Sequence, residues 1–210
     1  MKNLNTYLYF LLFFFFANVI VAQKETSKEP FYFEKIPNFS FDNRLSQNSV
    51  LSISQDNVGF MWFGTWAGLD RFDGKHYKNY RHDPTDTLGT TLTAGGVLSL
   101  KNIQQNLWIG TEGGLSRIFY DATNFDYKVE RVDEENGYIL LDGNEVNLFG
   151  VTTASNQIYQ LDIQSKNITP LVTFGVDTLI QTINYLSKQR ILFIGTNKGG
   201  LVFNLSLIHI

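Results

Sequence analysis

The chain has 210 residues, a formal net charge of −3 at pH 7 and no cysteine. Its content of hydrophobic residues (43%) and aromatic residues (15%) is that of a globular domain with a sizeable core, and excludes a disordered or fibrous chain. Charged residues are scattered and form no basic run, so neither nucleic acid nor an anionic membrane surface is an expected partner. Without cysteine, thiol redox chemistry and thiolate metal sites are excluded.

The first thirty residues have the layout of an export signal. Lys2 precedes an apolar stretch over residues 7–21, and Ala22 is followed by a polar run. This pattern predicts a secretory signal peptide at 1–22, a polar linker at 23–30 and an exported protein. An uncleaved signal anchor is the less favoured alternative, because about 15 apolar residues fall short of the roughly 20 that span a bilayer.

A sequence repeat dominates the rest of the chain. Residues 60–72 read FMWFGTWAGLDRF, and residues 106–118 read NLWIGTEGGLSRI, 46 positions later. A third copy at 191–203, ILFIGTNKGGLVF, has Phe for Trp and one extra residue assigned to its turn. A degenerate copy of the repeat, NLFGVT, lies at 147–152. Self-similarity at this spacing is typical of repeat architectures, so the repeat predicts the fold.

Taking Trp62, Trp108, Phe149 and Phe193 as equivalent gives steps of 46, 41 and 44 residues. This is the length of one four-stranded blade of a β-propeller. Within the first copy, turn residues separate four β-rich runs, and the Asp-Gly pair at 73–74 is a strong hairpin signal. The second strands are apolar on both faces, which favours sheets packed between two neighbouring sheets.

We therefore predict an all-β fold, a partial (incomplete) β-propeller of about 3.5 four-stranded blades after the signal peptide. The predicted propeller covers residues 31–205, with blades near residues 45–81, 95–130, 137–169 and 178–205. Residues 31–37 are predicted to be the outer strand of a missing last blade, and residues 206–210 form a tail without the expected turn chemistry. An open arc would leave an apolar sheet face bare at each end, so we expect self-association.

These residues resemble a known family. The pattern D-x-x-G-x-x-W-F-G-T-x-x-G-L-x-R-F-D-G over residues 56–74, with the lead-in DNRLSQNSV at 42–50, resembles the two-component regulator propeller repeat. That repeat occurs in the periplasmic sensor region of hybrid two-component histidine kinases of Bacteroidetes. The resemblance covers about residues 31–205 and is weakest over residues 120–170.

The resemblance implies a function. It implies that the chain is an N-terminal part of such a sensor domain, located on the periplasmic side of the inner membrane. The parent protein would be a sensor kinase and a homodimer that completes the propeller with its remaining blades. It would detect glycan-derived oligosaccharides for transcriptional control, and this segment would not itself be an enzyme.

Candidate ligand-binding residues follow from the predicted blades. In a propeller, the turns between second and third strands and the links between blades open on one face, where ligands usually bind. These positions are occupied by Thr65, Trp66, Arg81, Glu112 and Asn197. The Trp66 indole can stack on the apolar face of a sugar ring; alternatively, Trp66 packs on the next blade. Trp62 and Trp108, inside strands, are predicted to be core residues.

Other chemistries have little support. No nucleophile elbow, His-Glu-x-x-His motif or phosphate loop is present, and the three histidines are scattered, so we expect neither a cofactor nor a metal site. The competing functions are an exported propeller enzyme, such as a polysaccharide lyase or glycosidase, and a periplasmic scaffold. For the enzyme, Asp83 and Glu112 are the nearest candidates for the required pair of carboxylates.

Overall fold

The computed structural model describes residues 44–153 and 156–207. Over these residues the regular structure is β-strand, apart from one 3-10 turn at Leu205–Leu207. No helix within these residues is long and apolar enough to cross a membrane. The predicted signal peptide, the polar linker and the strand at 31–37 lie outside the described residues, as do the last three residues of the tail.

Within the described residues, fifteen strands form four sheets. The first sheet contains β1 (Val50–Gln55), β2 (Met61–Thr65), β3 (Gly68–Phe72) and β4 (Tyr77–Tyr80). The second contains β5 (Val97–Ile103), β6 (Asn106–Thr111), β7 (Gly114–Asp121) and β8 (Asp126–Asp133). The third contains β9 (Tyr138–Gly143), β10 (Asn147–Thr152), β11 (Gln157–Asp162) and β12 (Ile168–Thr173). The fourth contains β13 (Ile180–Leu186), β14 (Ile191–Thr196) and β15 (Gly199–Asn204).

Each sheet is a propeller blade. Strands pair antiparallel with their sequence neighbours, and the first strands of successive sheets contact one another, β1 with β5, β5 with β9 and β9 with β13. Three blades have four strands and the last has three. The prediction of an all-β propeller is thereby confirmed. The degenerate repeat copy at 147–152 forms a regular second strand, β10.

The cores lie between the blades. Trp62, Trp108 and Phe149, at one repeat position, are each fully buried in the described structure. Trp62 packs with second-blade residues, Trp108 with the third blade and Phe149 with the fourth. The prediction that both tryptophans are core residues is confirmed. Phe193, at the same position of the last described blade, is 40% exposed.

The glycine before the repeat threonine is required by blade packing. A Cβ on Gly64 would lie 2.6 Å from Cγ1 of Val97, and one on Gly110 would lie 2.5 Å from the carbonyl oxygen of Tyr138. Val97 and Tyr138 begin the first strands of the following blades. The Gly-Thr pair in the sequence therefore marks where one blade closely approaches the next.

One detail of the third repeat copy differs from prediction. Thr196 pairs with Gly199 across a turn of two residues, as Thr65 pairs with Gly68 and Thr111 with Gly114. The turn is therefore no longer than the others, and the extra residue assigned to it was wrong. Gly200 pairs with Gly195 as Leu69 pairs with Gly64, so Gly200 occupies the position of the repeat leucine and no residue is inserted.

Candidate functional site

The turns between second and third strands lie at one end of the blades, and we call this end the turn face. On it, a backbone N–H of each of three turns bonds the link that leads into the first strand of the same blade. Glu112 N–H donates to the Gly96 carbonyl at 2.9 Å, Thr153 N–H to Gly137 at 3.0 Å and Asn197 N–H to Leu179 at 3.0 Å. Turns and links therefore form a continuous surface.

Thr65 is a structural residue of its turn. Its side chain is fully buried, and its hydroxyl donates to the Gly68 carbonyl at 3.0 Å while accepting the Ala67 N–H at 3.2 Å. Thr111 and Thr196 make the same bonds in their own turns. A ligand cannot reach the Thr65 hydroxyl, so the structure removes this residue from the predicted contacts. Thr65 is the last residue of β2 and pairs with Gly68 across the turn.

Trp66 and Glu112 both approach Gly96 closely. A Cβ on Gly96 would be 3.0 Å from Cε3 of the indole and 3.1 Å from Cδ of the carboxylate. The Gly96 N–H donates to Oε1 of Glu112 at 3.3 Å. The group Trp66–Gly96–Glu112, which we call the Gly96 cleft, combines an aromatic plane with a carboxylate acceptor. Trp66 contacts the second blade's link at Gly96 and stays 50% exposed, and its stacking on a sugar ring stays a prediction.

Arg81 stands beside the same turn as Trp66. A Cβ on Gly68 would lie 3.4 Å from Cγ of Arg81. The arginine is exposed, and its guanidinium makes no hydrogen bond or ion pair with the residues that the structure describes. It therefore offers several donors to a ligand at this end of the first blade.

The Asn197 side chain holds the link that leads into the first strand of its own blade. Its Oδ1 accepts the Leu179 N–H at 2.9 Å, and its Nδ2 donates to the Asp177 carbonyl at 3.2 Å. Both ends of the amide are therefore used to hold the link into the fourth blade. Of the predicted site residues, the structure brings Trp66 and Glu112 together at Gly96 and places Arg81 beside Gly68, in the same turn as Trp66. Asn197 makes these hydrogen bonds within the fourth blade's own link.

The two candidate carboxylates of this face, Asp83 and Glu112, accept hydrogen bonds from neighbouring groups of the chain. Asp83 Oδ1 accepts from the hydroxyl and the N–H of Thr85, at 2.7 and 2.8 Å, and these bonds lower the pKa of Asp83. A general acid requires the opposite shift. Glu112 bonds the Gly96 backbone instead of a second carboxylate. Among the described residues, no group of three or more His, Cys, Asp or Glu could hold a metal ion.

Sequence reasoning missed Gly96, which both the indole and the carboxylate approach closely. A signal was available in the consecutive glycines Gly95 and Gly96, because a glycine pair just before a strand often marks a close approach of other atoms. The sequence of one repeat does not show which atoms approach Gly96, because this depends on how two blades pack together.

The stacked blades define the class of this protein: a β-propeller of repeated antiparallel sheets. Residues 44–67 match the family described as two component regulator propeller. The chain therefore carries a two-component regulator propeller repeat, as the sequence pattern predicted.

Relatives are found among sensor proteins and among other propellers. Histidine kinase P4 of Formosa agariphila is 40% identical over 77 residues, 37% of this chain and 5% of that protein. The extracellular domain assigned to the hybrid two component system BT4673 of B. thetaiotaomicron has a TM-score of 0.59 at 16% identity, covering 85% of this chain and 23% of that one. The propeller domain of Myceliophteria thermophila Cps50 (Swd1) has a TM-score of 0.57 at 10% identity, covering 74% and 53%. At these identities the structural likeness concerns the propeller fold alone.

Proposed function

We propose that the chain is part of the periplasmic sensor region of a hybrid two-component histidine kinase. The observation that carries the proposal is the propeller repeat at residues 44–67, together with the 40% identity to a segment of a histidine kinase. The chain spans a small part of that relative, so signalling belongs to the complete parent. This chain supplies propeller blades and the turns between their strands.

The sensed ligand is proposed to be a glycan-derived oligosaccharide bound at the Gly96 cleft. Support comes from the chemistry of the cleft: a half-exposed indole provides a flat apolar surface for a sugar ring. The Glu112 carboxylate accepts hydrogen bonds from sugar hydroxyls, and the Arg81 guanidinium donates them. An aromatic platform flanked by a few oriented polar groups suits a ring that has one apolar face and polar edges.

The parent is also proposed to cover the outer face of the last described blade. Phe193 and Val202 are cross-strand partners on that face, and both are exposed. At the equivalent position, Trp62, Trp108 and Phe149 are fully buried by a following blade. A further blade of the parent would bury Phe193 in the same way.

The parent is also proposed to form a homodimer, which would be the assembly that transmits the signal.

Isothermal calorimetry with a panel of neutral and acidic oligosaccharides tests the ligand proposal. We expect one panel member to bind, and Trp66→Ala to weaken its affinity by roughly tenfold or more, because loss of a stacking aromatic costs on the order of 1–2 kcal/mol. The matched control is Phe125→Ala, which removes an aromatic side chain that is 81% exposed in the β7–β8 turn at the other end of the blade.

The control variant should bind like the unaltered chain. If no oligosaccharide releases heat with the complete ectodomain, the sugar-sensor proposal fails. If one binds equally well to Trp66→Ala and to the unaltered chain, the ligand lies elsewhere and the Gly96 cleft is not its site.

A further inference from the structure

The Gly96 cleft brings an aromatic ring and a carboxylate within reach of one small group. Cε3 of Trp66 lies 3.0 Å, and Cδ of Glu112 3.1 Å, from the Cβ position of Gly96. These two atoms are therefore at most about 6 Å apart, which is the range over which a cation interacts with an aromatic ring. A small group that approaches Gly96 from solvent meets both side chains.

Both side chains are available to a ligand. Trp66 is 50% exposed, and Glu112 is exposed as well. Oε1 of Glu112 accepts the Gly96 N–H over a long 3.3 Å, whereas Oε2 accepts no hydrogen bond from the residues that the structure describes. The carboxylate therefore keeps one free oxygen, and its charge, for a group from outside the chain.

The surface around the cleft is acidic. The link over residues 81–96 bonds the Glu112 turn through Gly96, and the link over residues 133–137 touches the same turn at Gly137. With Arg131 of β8, the turn and the two links contain two cations and six carboxylates, those of Asp83, Asp86, Glu112, Asp133, Glu134 and Glu135. Such an excess attracts a ligand of opposite charge and repels one of like charge. The charge balance therefore favours a cationic sugar over an acidic one.

The two cations supply no counter-charge to Glu112. Arg131 is occupied by the carboxylates of Asp86, at 3.5 Å, and Glu134, at 3.1 Å. Arg81 lies beside Gly68, in the turn of Trp66. Its guanidinium is free to donate to hydroxyl oxygens of a ligand that rests on the indole.

We propose that the oligosaccharide bound at the Gly96 cleft carries a free, positively charged amine, the chemistry of a deacetylated amino sugar. The ammonium lies against the Trp66 indole and donates to Oε2 of Glu112. An ammonium has three N–H donors and no acceptor, so it matches a carboxylate beside an aromatic ring better than a neutral hydroxyl does. This inference rests on the proposed sugar site and specifies the charge of its ligand.

The test adds a matched pair of disaccharides to the calorimetry panel. The full 210-residue chain is titrated at about pH 6, where a sugar amine is protonated, with β-1,4-linked diglucosamine and with its N,N′-diacetyl form. The diacetyl form has the same rings without the positive charges. We expect the amine form to bind roughly tenfold more tightly, because it alone makes the cation–π contact and the charge-assisted hydrogen bond. This comparison requires no variant.

Glu112→Gln separates the charge of the carboxylate from its shape. The amide keeps an oxygen for the Gly96 N–H, so the fold is retained, but the preference for the amine form should fall to about twofold or less. The matched control is Glu145→Gln, an exposed carboxylate of the β9–β10 turn at the other end of the blades, which should leave the preference unchanged. An undiminished preference in Glu112→Gln overturns the inference.

The outcomes distinguish this inference from the proposed function. Equal or tighter binding of the diacetyl form overturns the inference. So does a result in which neither disaccharide binds and a neutral or acidic panel member does. If Trp66→Ala weakens the binding of that member, the proposed sugar site stands without the amine. If no oligosaccharide binds, the inference and the proposed ligand fail together.

Discussion

Asp56 shows how one side chain can join two blades. Its carboxylate closes its own turn and accepts hydrogen bonds from Trp62 and from Tyr127, which lies 71 positions later in the second blade. Asn102 occupies the same repeat position, 46 residues on, but its amide bonds the first blade instead. The indole N–H of Trp108 consequently has no partner in the described structure. Equivalent residues of a repeat therefore need not make equivalent bonds.

Replacing Asp56 should destabilise the chain more than its partly exposed position suggests. Asp56→Ala leaves the buried Trp62 N–H and the Tyr127 hydroxyl without an acceptor and opens the β1–β2 turn, so we expect a loss of roughly 2–4 kcal/mol in the free energy of unfolding. Urea denaturation followed by tryptophan fluorescence measures this loss. The matched control is Glu145→Ala, an exposed carboxylate of the β9–β10 turn, which should change stability by about 0.5 kcal/mol or less. Similar values for the two variants would contradict the role given to Asp56.

At the scale of elements, the link between the first and second blades is held by a cluster of polar groups. Asp86 Oδ2 accepts the N–H and the hydroxyl of Thr91, at 2.7 and 2.9 Å. Arg131, from β8, donates to the Thr91 carbonyl and hydroxyl, both at 3.0 Å, and its NH2 lies 3.5 Å from the Asp86 carboxylate. The link therefore depends on the Asp86 carboxylate remaining ionised.

Acid should weaken this link. Burial raises the pKa of Asp86, but the hydrogen bonds from Thr91 and from backbone N–H groups outweigh that effect and lower it to about 2, against 3.8 for a free side chain. Between these values the unfolded chain binds more protons than the folded one, so the contribution of Asp86 to stability is present above pH 3.8 and is lost as pH falls towards 2. Urea midpoints of the unaltered chain and of Asp86→Asn, measured from pH 5 to pH 2, should converge at low pH. Parallel curves would show that Asp86 does not contribute.

The elements themselves were largely predictable from the sequence. The spacing of Trp62, Trp108, Phe149 and Phe193 identified the second strand of every blade, because an apolar residue buried between sheets is needed at each repeat. The third blade was recognisable only faintly, since Phe replaces Trp and the Gly-Leu-x-Arg segment is lost. It is nevertheless a complete four-stranded sheet, and its second strand β10 is buried continuously from Leu148 to Thr152, as expected of a strand packed on both faces.

At the scale of the molecule, the packing of consecutive blades brings together residues from two blades and forms a site that no single blade contains. The Gly96 cleft takes Trp66 from the first blade and Glu112 from the second. Sequence reasoning found Trp66 and Glu112, because turn positions can be identified from the repeat. It missed Gly96, because the close approach at this residue depends on the distance and register between two sheets whose residues are far apart in sequence.

The measurement that tests this packing most directly is a nuclear Overhauser experiment on the turn face. Blade stacking places Cε3 of the Trp66 indole 3.0 Å from the Cβ position of Gly96, thirty residues further along the chain. We predict a strong cross-peak between the Trp66 Hε3 proton and an α-proton of Gly96. If both signals are assigned and no cross-peak is observed, the first two blades do not pack as described, and the Gly96 cleft does not exist.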